Sequence, residues 1–248
     1  MGVETAVAEG VLRLRRPDTR WLSTGWDGGF ADAPAAYNVS VPEGWDRTDL
    51  GAYAAERLST AGFESGGRAP VLLTGVDMRH ARVARSDPVV AVATAGVSNP
   101  AALPMDDPEA VASDAGRTSG PDAAGAPDRP GRGTVNVLVA TTRRLDDGAL
   151  ANLVAVAAEA KAATLLATTG FPGTTTDAVV AGSARDGEPA TFSGSATPVG
   201  SAARACVRDA VRASLDSRYA AGDVSLPDTV SDAEHGVVTD RETEVTRP

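Results

Sequence analysis

The stretch "ATLLATTGFPGTTTDAVVAGSA", residues 163–184, carries the transition that decides the fold. An apolar helical run stops at Gly170, turns through Pro172 and Gly173, and re-enters a strand-like run over residues 176–183. Glycine just past a periodic run ends a helix, and a short apolar run between breakers reads as a buried strand. Reading upstream, the helix extends back to about residue 146, with Asp146 or Asp147 in its first turn, where a carboxylate favours the helix dipole. Before it, "GTVNVLVAT" (133–141) is a central strand. Downstream, Thr197-Pro198 is a cap followed by proline at the first helical position, and Val199, Ala203, Cys206, Ala210 and Val211 keep a helical period. This alternation of strand and helix predicts an α/β (or α+β) protein: a mixed β-sheet core with packed helices in a single domain.

The remaining segments fit that frame. Residues 1–45 are strand-rich, with alternation in "VLRLR" (11–15) and over residues 37–41, separated by "GWDGGFADAP" (25–34), which reads as a loop because Gly28, Gly29 and Pro34 break either element. Residues 48–61 read as a short helix capped by Thr48 or Asp49, and 69–77 and 87–96 as buried strands. Residues 101–131 are nearly all Ala, Asp, Gly, Pro, Ser and Arg, a composition that cannot build a core, so they read as a disordered insertion. The expected domain covers 1–221. A polar tail, 222–248, is expected to fray, with an edge strand available at 224–230.

Composition narrows the function classes. A formal charge of −10, from 33 acidic and 23 basic residues, suits a halophilic protein and argues against nucleic acid or an anionic membrane as partner. Lys161 is the only lysine. With Cys206 as the single cysteine, an internal disulfide and a cysteine-built metal site are excluded, and Cys206 itself falls on an apolar helix face as a core residue. No apolar h-region or membrane-length apolar run stands out, so the chain reads as cytoplasmic. His80 and His235 lie in no ligand spacing, which argues against a histidine zinc site, and the glycines form no phosphate-binding or dinucleotide fingerprint.

Candidate functional residues gather at strand ends, where α/β proteins collect their chemistry. The turn 169–177 offers Thr174, Thr175, Thr176 and Asp177, with Gly173 to relax its backbone; it is either a ligand-presenting turn or a well-capped surface turn. Asn136 interrupts an apolar strand and shares a face with Thr134, so it is a satisfied structural amide or part of a pocket wall. Glu159, among alanines, is an exposed solubilising group or a buried acid suited to proton transfer; Lys161, two residues on, faces elsewhere. Asp27, Asn38 and Asn99 flank turns after strands and could reach one cleft.

Taken in order, "RWLSTGWDGG", "YNVSVP", "LLTGVDMRHARVA", "VVAVATAGVSNPA", "GTVNVLVAT", "AAEAKAATLLATTG" and "GTTTDAVVAGSA" resemble the adenosylcobinamide amidohydrolases of archaeal cobamide salvage, over roughly 15–210 with 101–131 outside the match. The resemblance implies hydrolysis of the amide between the corrinoid propionate arm and aminopropanol, giving adenosylcobyric acid. The cobalt then belongs to the substrate, with no cofactor or metal held by the protein. Carried over by resemblance, Asn136, Glu159, Thr174, Thr176 and Asp177 fall in the active-site region. Asp177 or Glu159 would activate water or a threonine hydroxyl. Asn136 and the 173–176 backbone would hold the oxyanion, and Asp27, Asn38, Asn99, Gly173 and Thr175 would bind substrate. Two departures stand out: "WDGG" puts Asp27 in place of an expected asparagine, and Gly194-Ser195-Ala196-Thr197 has Ala196 where a histidine is expected. Without that histidine the base must be a carboxylate, or the protein binds corrinoids without hydrolysing them. Assembly as a homo-oligomer is left open.

Overall fold

The computed structural model describes residues 2–42, 44–63, 67–105, 133–220, 222 and 225–248. Its elements run β1 (Glu4–Ala8), β2 (Val11–Ser23), β3 (Gly29–Ser40), α1 (Leu50–Thr60), β4 (Val71–Thr74), a 3-10 turn (Met78–His80), β5 (Arg82–Ser86), β6 (Val89–Ala95), β7 (Ala101–Ala102), β8 (Val135–Thr141), α2 (Asp147–Thr169), β9 (Ala178–Ala184), α3 (Pro198–Tyr219), a second 3-10 turn (Val230–Asp232) and β10 (Val237–Val238). Eight strands form one mixed sheet in the order β4-β3-β2-β9-β8-β6-β5, with β1 beside β2. Only β3–β4 and β8–β9 are parallel within it.

One bend shapes this sheet. β2 pairs with β3 along its length, but the register breaks between Arg15 and Thr19, around Pro17 and Asp18, and Asp18 takes a positive φ of 51°. Pro34 of β3 falls opposite this bulge, where the ladder needs no N–H from it. The segment expected to be a loop at 25–34 is therefore strand from Gly29 onward, because two prolines facing each other at an irregularity cost no ladder bonds. Before the bulge β2 pairs with β1, and after it with β9. The first half thus folds back over the face of the β9-β8-β6-β5 half. Two contacts close the layers: Arg85 of β5 donates to the Val3 carbonyl at 3.1 Å, and Asn136 of β8 donates to the Leu73 carbonyl of β4 at 2.9 Å.

Strand alternation then produces three cores. Val135, Val137, Val139, Val179 and Ala181 face α2 and α3, meeting Leu150, Leu153, Leu165, Val207 and Val211. Leu138, Ala140, Val180, Val90 and Val92 face the other way and meet Leu12, Leu14, Trp21 and Leu72 between the two β layers. Val11, Tyr37 and Val39 turn outward again, under Tyr53 and Leu58 of α1. The result is a sandwich of α1, two β layers, and the α2–α3 pair. Each fully buried leucine among these contributes about 1.5–3 kcal/mol relative to exposure.

The helix ends follow the local chemistry expected of them. Asp146 caps α2 by accepting from the Ala149 N–H at 2.7 Å, and Gly170 ends it at φ 80°. Thr197 caps α3 by accepting from Gly200 N–H at 3.1 Å, with Pro198 at the first position. α2 is also the one helix among the described residues long and apolar enough to cross a membrane by length and composition, contrary to the expectation of no such run; half of that window is buried in the fold. The tail differs from expectation too. β10 pairs in parallel with β7, so residues 101–102, expected to open the insertion, and 237–238 form a small second sheet. Residues 106–132, most of the expected insertion, lie outside the described residues.

Candidate active site

Six chain segments end or begin at one end of the sandwich: β6 and β2 finish there, β8 and β9 start there, and Asn38 of β3 and Leu73 of β4 reach it from the second layer. β8 enters this end directly from Gly133 and Thr134, and β9 from the turn 171–177. Because successive residues of a strand point to opposite faces, the polar groups divide into two sets.

On the face toward the helices lies Asp177. Its Oδ1 accepts from the Val135 N–H at 2.9 Å and the Thr174 hydroxyl at 2.5 Å, while Oδ2 accepts from the Thr174 N–H at 3.1 Å and pairs with Lys161 Nζ. Four donors fill the lone-pair positions of one carboxylate. Both side chains of the Lys161–Asp177 pair are about 10% exposed, so the pair is nearly dry. Lys161 comes from the second half of α2, which runs back along the sheet to this end. Gly173 covers the pair: a Cβ there would lie 2.8 Å from Asp177 Oδ2 and 3.5 Å from Lys161 Nζ.

On the face between the β layers lie Asn38, Thr94 and Asn136, all buried. Asn38 donates to the Thr94 hydroxyl at 2.9 Å, and Asn136 donates to Asn38 Oδ1 at 3.0 Å and to the Leu73 carbonyl. Because both Nδ2 bonds of Asn136 go to acceptors, its free group is Oδ1, which has no partner among the described residues. At the rim, the Thr134 and Thr176 hydroxyls lie 2.8 Å apart, and Asn99 donates to the Thr175 hydroxyl at 2.5 Å and accepts from the Thr175 N–H at 3.2 Å through its carbonyl.

The structure therefore brings together Asn38, Asn99, Asn136, Gly173, Thr174, Thr175, Thr176 and Asp177, and leaves two candidates outside this group. Glu159 projects from the outer side of α2, its side chain 62% exposed and paired with Arg204 of α3. Glu159 and Lys161 are two residues apart, about 200° around a helix, so burying one exposes the other. Asp27 is on the turn after β2, at the same end of the sandwich, but it is exposed and paired with Arg68 at 2.5 Å. The oxyanion role expected of Asn136 and the 173–176 backbone is also reshaped: the Asn136 amide protons and the Thr174 and Thr175 N–H groups already have acceptors. Lys161 is the residue that sequence reasoning passed over. Its signal was the chain's one lysine, on a largely apolar helix, 16 residues before the only acid of the threonine turn.

Ala196, the position of the expected histidine, lies at the far end of the molecule. It lines a groove of about 710 Å³ with Asp146, Asn152, Phe192, Ser193 and Thr197, beyond the end of β9. A seven-residue strand separates it from Asp177, roughly 20 Å at the usual rise per residue. Among the described residues, no three His, Cys, Asp or Glu side chains gather in metal-binding proximity.

Comparison with known proteins agrees with this reading of the sequence. A family model described as adenosylcobinamide amidohydrolase matches residues 3–223. A protein named adenosylcobinamide amidohydrolase from Halobacterium salinarum is 58% identical over 245 residues, covering 99% of both chains. One of the same name from Methanosarcina mazei is 26% identical over 211 residues, covering 81% of this chain and 92% of that one. A solved structure, the PH0078 protein from Pyrococcus horikoshii OT3, aligns with 86% of this chain and 78% of its own at 13% identity and a TM-score of 0.38. The chain belongs to the adenosylcobinamide amidohydrolase family.

Proposed function

We propose that this protein hydrolyses the amide joining the propionate arm of adenosylcobinamide to aminopropanol, and that the turn 173–177 with β8 is where it does so. The observation that carries the site is the Thr174 hydroxyl donating to Asp177 at 2.5 Å, with Lys161 on the other carboxylate oxygen. A hydroxyl within reach of a base, the base held by a third group, is the arrangement of an activated nucleophile. In the first half-reaction the Thr174 proton passes to Asp177 and Oγ1 bonds to the amide carbon. The carbon–nitrogen bond then breaks as Asp177 returns the proton to the amine, which leaves as aminopropanol. Water attacks the resulting ester as Asp177 again takes a proton; the ester bond then breaks as Asp177 passes that proton to Thr174 Oγ1, leaving adenosylcobyric acid and the resting site. Thr175 and Thr176 at the rim contact the corrinoid and its arm, with the buried Asn38, Asn99 and Asn136 completing the binding region behind them. The corrinoid brings its own cobalt. The reaction belongs in the cytoplasm, and a homo-oligomer is compatible with it.

Purified protein in high salt is incubated with adenosylcobinamide and the products read by mass spectrometry. Wild type is expected to yield both products. Thr174→Ala and Asp177→Asn should each lower kcat by about 10³-fold or more, whereas Glu159→Gln stays within about twofold of wild type. Activity retained in Thr174→Ala but lost in Asp177→Asn would make water the nucleophile. A second reading, corrinoid binding without hydrolysis, is favoured by Ala196 in the 710 Å³ groove; tight binding with no product from wild type would establish it.

A further inference from the structure

We infer that Lys161 does more than hold Asp177: at the site proposed above, on which this inference rests, its ammonium group donates to the oxygen of the scissile carbonyl and carries the negative charge that develops there. An ammonium has three donor hydrogens. Among the described residues Asp177 is the one hydrogen-bond partner of Lys161, although the residue is only 8% exposed. Two of its donors are therefore left for a ligand or for solvent.

Gly173 packs directly on the pair: a Cβ there would sit 3.5 Å from Nζ and 2.8 Å from Asp177 Oδ2, closer than a carbon can approach. A carbonyl brought to the Thr174 hydroxyl meets Asp177, which carries the ammonium on its other oxygen. Several other donors at this end are spoken for: Thr174 N–H binds Asp177, Thr175 N–H binds the Asn99 carbonyl, and both Asn136 amide protons have acceptors. Residue type points the same way. Arginine serves at the other basic positions, 22 of the 23, and lysine appears once, here. A guanidinium is a planar fork too broad for a single position shared with a carboxylate, whereas an ammonium is a compact point charge.

The two tasks of Lys161 are coupled through the reaction. In the resting site its charge is balanced by Asp177. When Asp177 takes the Thr174 proton it becomes neutral, and the ammonium is left facing the oxyanion formed in the same step. No proton leaves Lys161, and its charge is most strongly felt at the tetrahedral intermediate in a dry site.

The test uses the whole chain and two ligands: adenosylcobinamide, and an analogue whose scissile carbonyl carbon is replaced by a tetrahedral phosphonamidate. Lys161→Met is expected to lower kcat about 10²–10³-fold, with KM within about threefold of wild type and analogue affinity falling in step with kcat. Lys161→Arg keeps the charge and should not recover kcat. Lys161→Cys in a Cys206→Ala background, alkylated with 2-bromoethylamine while unfolded and then refolded, rebuilds an ammonium at nearly the same reach. It should regain at least tenfold in kcat and in analogue affinity over the unalkylated protein, a comparison that also holds where Lys161→Met does not fold. A purely structural Lys161 would move thermal stability and KM, and leave the ratio of analogue to substrate affinity unchanged. That result, or an active Lys161→Met protein, overturns the inference while the proposed function stands. Wild type without turnover overturns both.

Discussion

Gly173 shows how one missing methyl group can matter more than the charges beneath it. Its φ is not in the left-handed region, so the backbone alone does not require glycine. The requirement comes from below, where a Cβ would press on Asp177 Oδ2 at 2.8 Å. Gly173→Ala is therefore expected to push the carboxylate off Thr174 and away from Lys161. The outcome is a loss of kcat of at least about tenfold, as a misplacement near 1 Å typically produces, with a far smaller change in melting temperature. Steady-state kinetics beside a thermal melt would check it. Asp177 itself joins three elements, since it binds the start of β8, the turn before β9 and the inner face of α2. Removing one partner of a nearly buried ion pair costs about 3–5 kcal/mol, so stability must be read alongside activity for any variant of the pair. Glu159 illustrates the opposite case. A lone acid among alanines could have faced inward, and only the docking of α2 against β8 and β9 turned it out to Arg204.

At the scale of elements, α2 and α3 were legible because their caps and stops are local chemistry: Asp146, Gly170, Thr197 and Pro198 act within a turn of their own positions. The bend in β2 was not, because Pro17 and Pro34 look like breakers until they are seen across from one another. The junction between α3 and the 3-10 turn at Met78–His80 gives a measurable consequence. His80 Nδ1 lies 3.1 Å from the Ser217 hydroxyl, and Nε2 accepts from Arg79 Nε at 3.0 Å. Burial first, then the neighbouring Arg79, Arg218 and Arg82, push the imidazole below its ordinary value of 6.5, against a smaller opposing pull from Asp77. The unfolded chain therefore binds this proton more readily than the folded one. As pH falls through about 6.5 towards the lowered folded value, the contribution of His80 to stability is lost, and above that window it is fully present. His80→Gln should flatten the pH dependence of the urea midpoint just below about pH 6.5 while leaving the slope at lower pH, where carboxylates titrate.

For the molecule as a whole, charge is the dominant long-range property. With a net −10, repulsion acts across the surface, and most of its ion pairs are exposed arginine–carboxylate contacts that each contribute little. Raising salt from 0.1 M to 1 M shortens the screening length from about 10 Å to about 3 Å. The melting temperature is expected to rise over that range, because repulsion summed over the whole chain is screened while the apolar cores are not weakened; scanning calorimetry in a KCl series would read it. By itself the sequence determined the class of fold, the position and ends of the two long helices, the apolar strands between them, the burial of Cys206 and the clustering of polar residues at strand ends. These are properties of period, composition and local hydrogen bonding, which act over a few residues. The folding of one sheet over itself, the pairing of β10 with β7, the meeting of Lys161 with Asp177 across 16 positions and the separation of Ala196 from them were decided only by tertiary structure. Each depends on which face of one element meets which face of another, and on a bulge that a linear reading takes for a break.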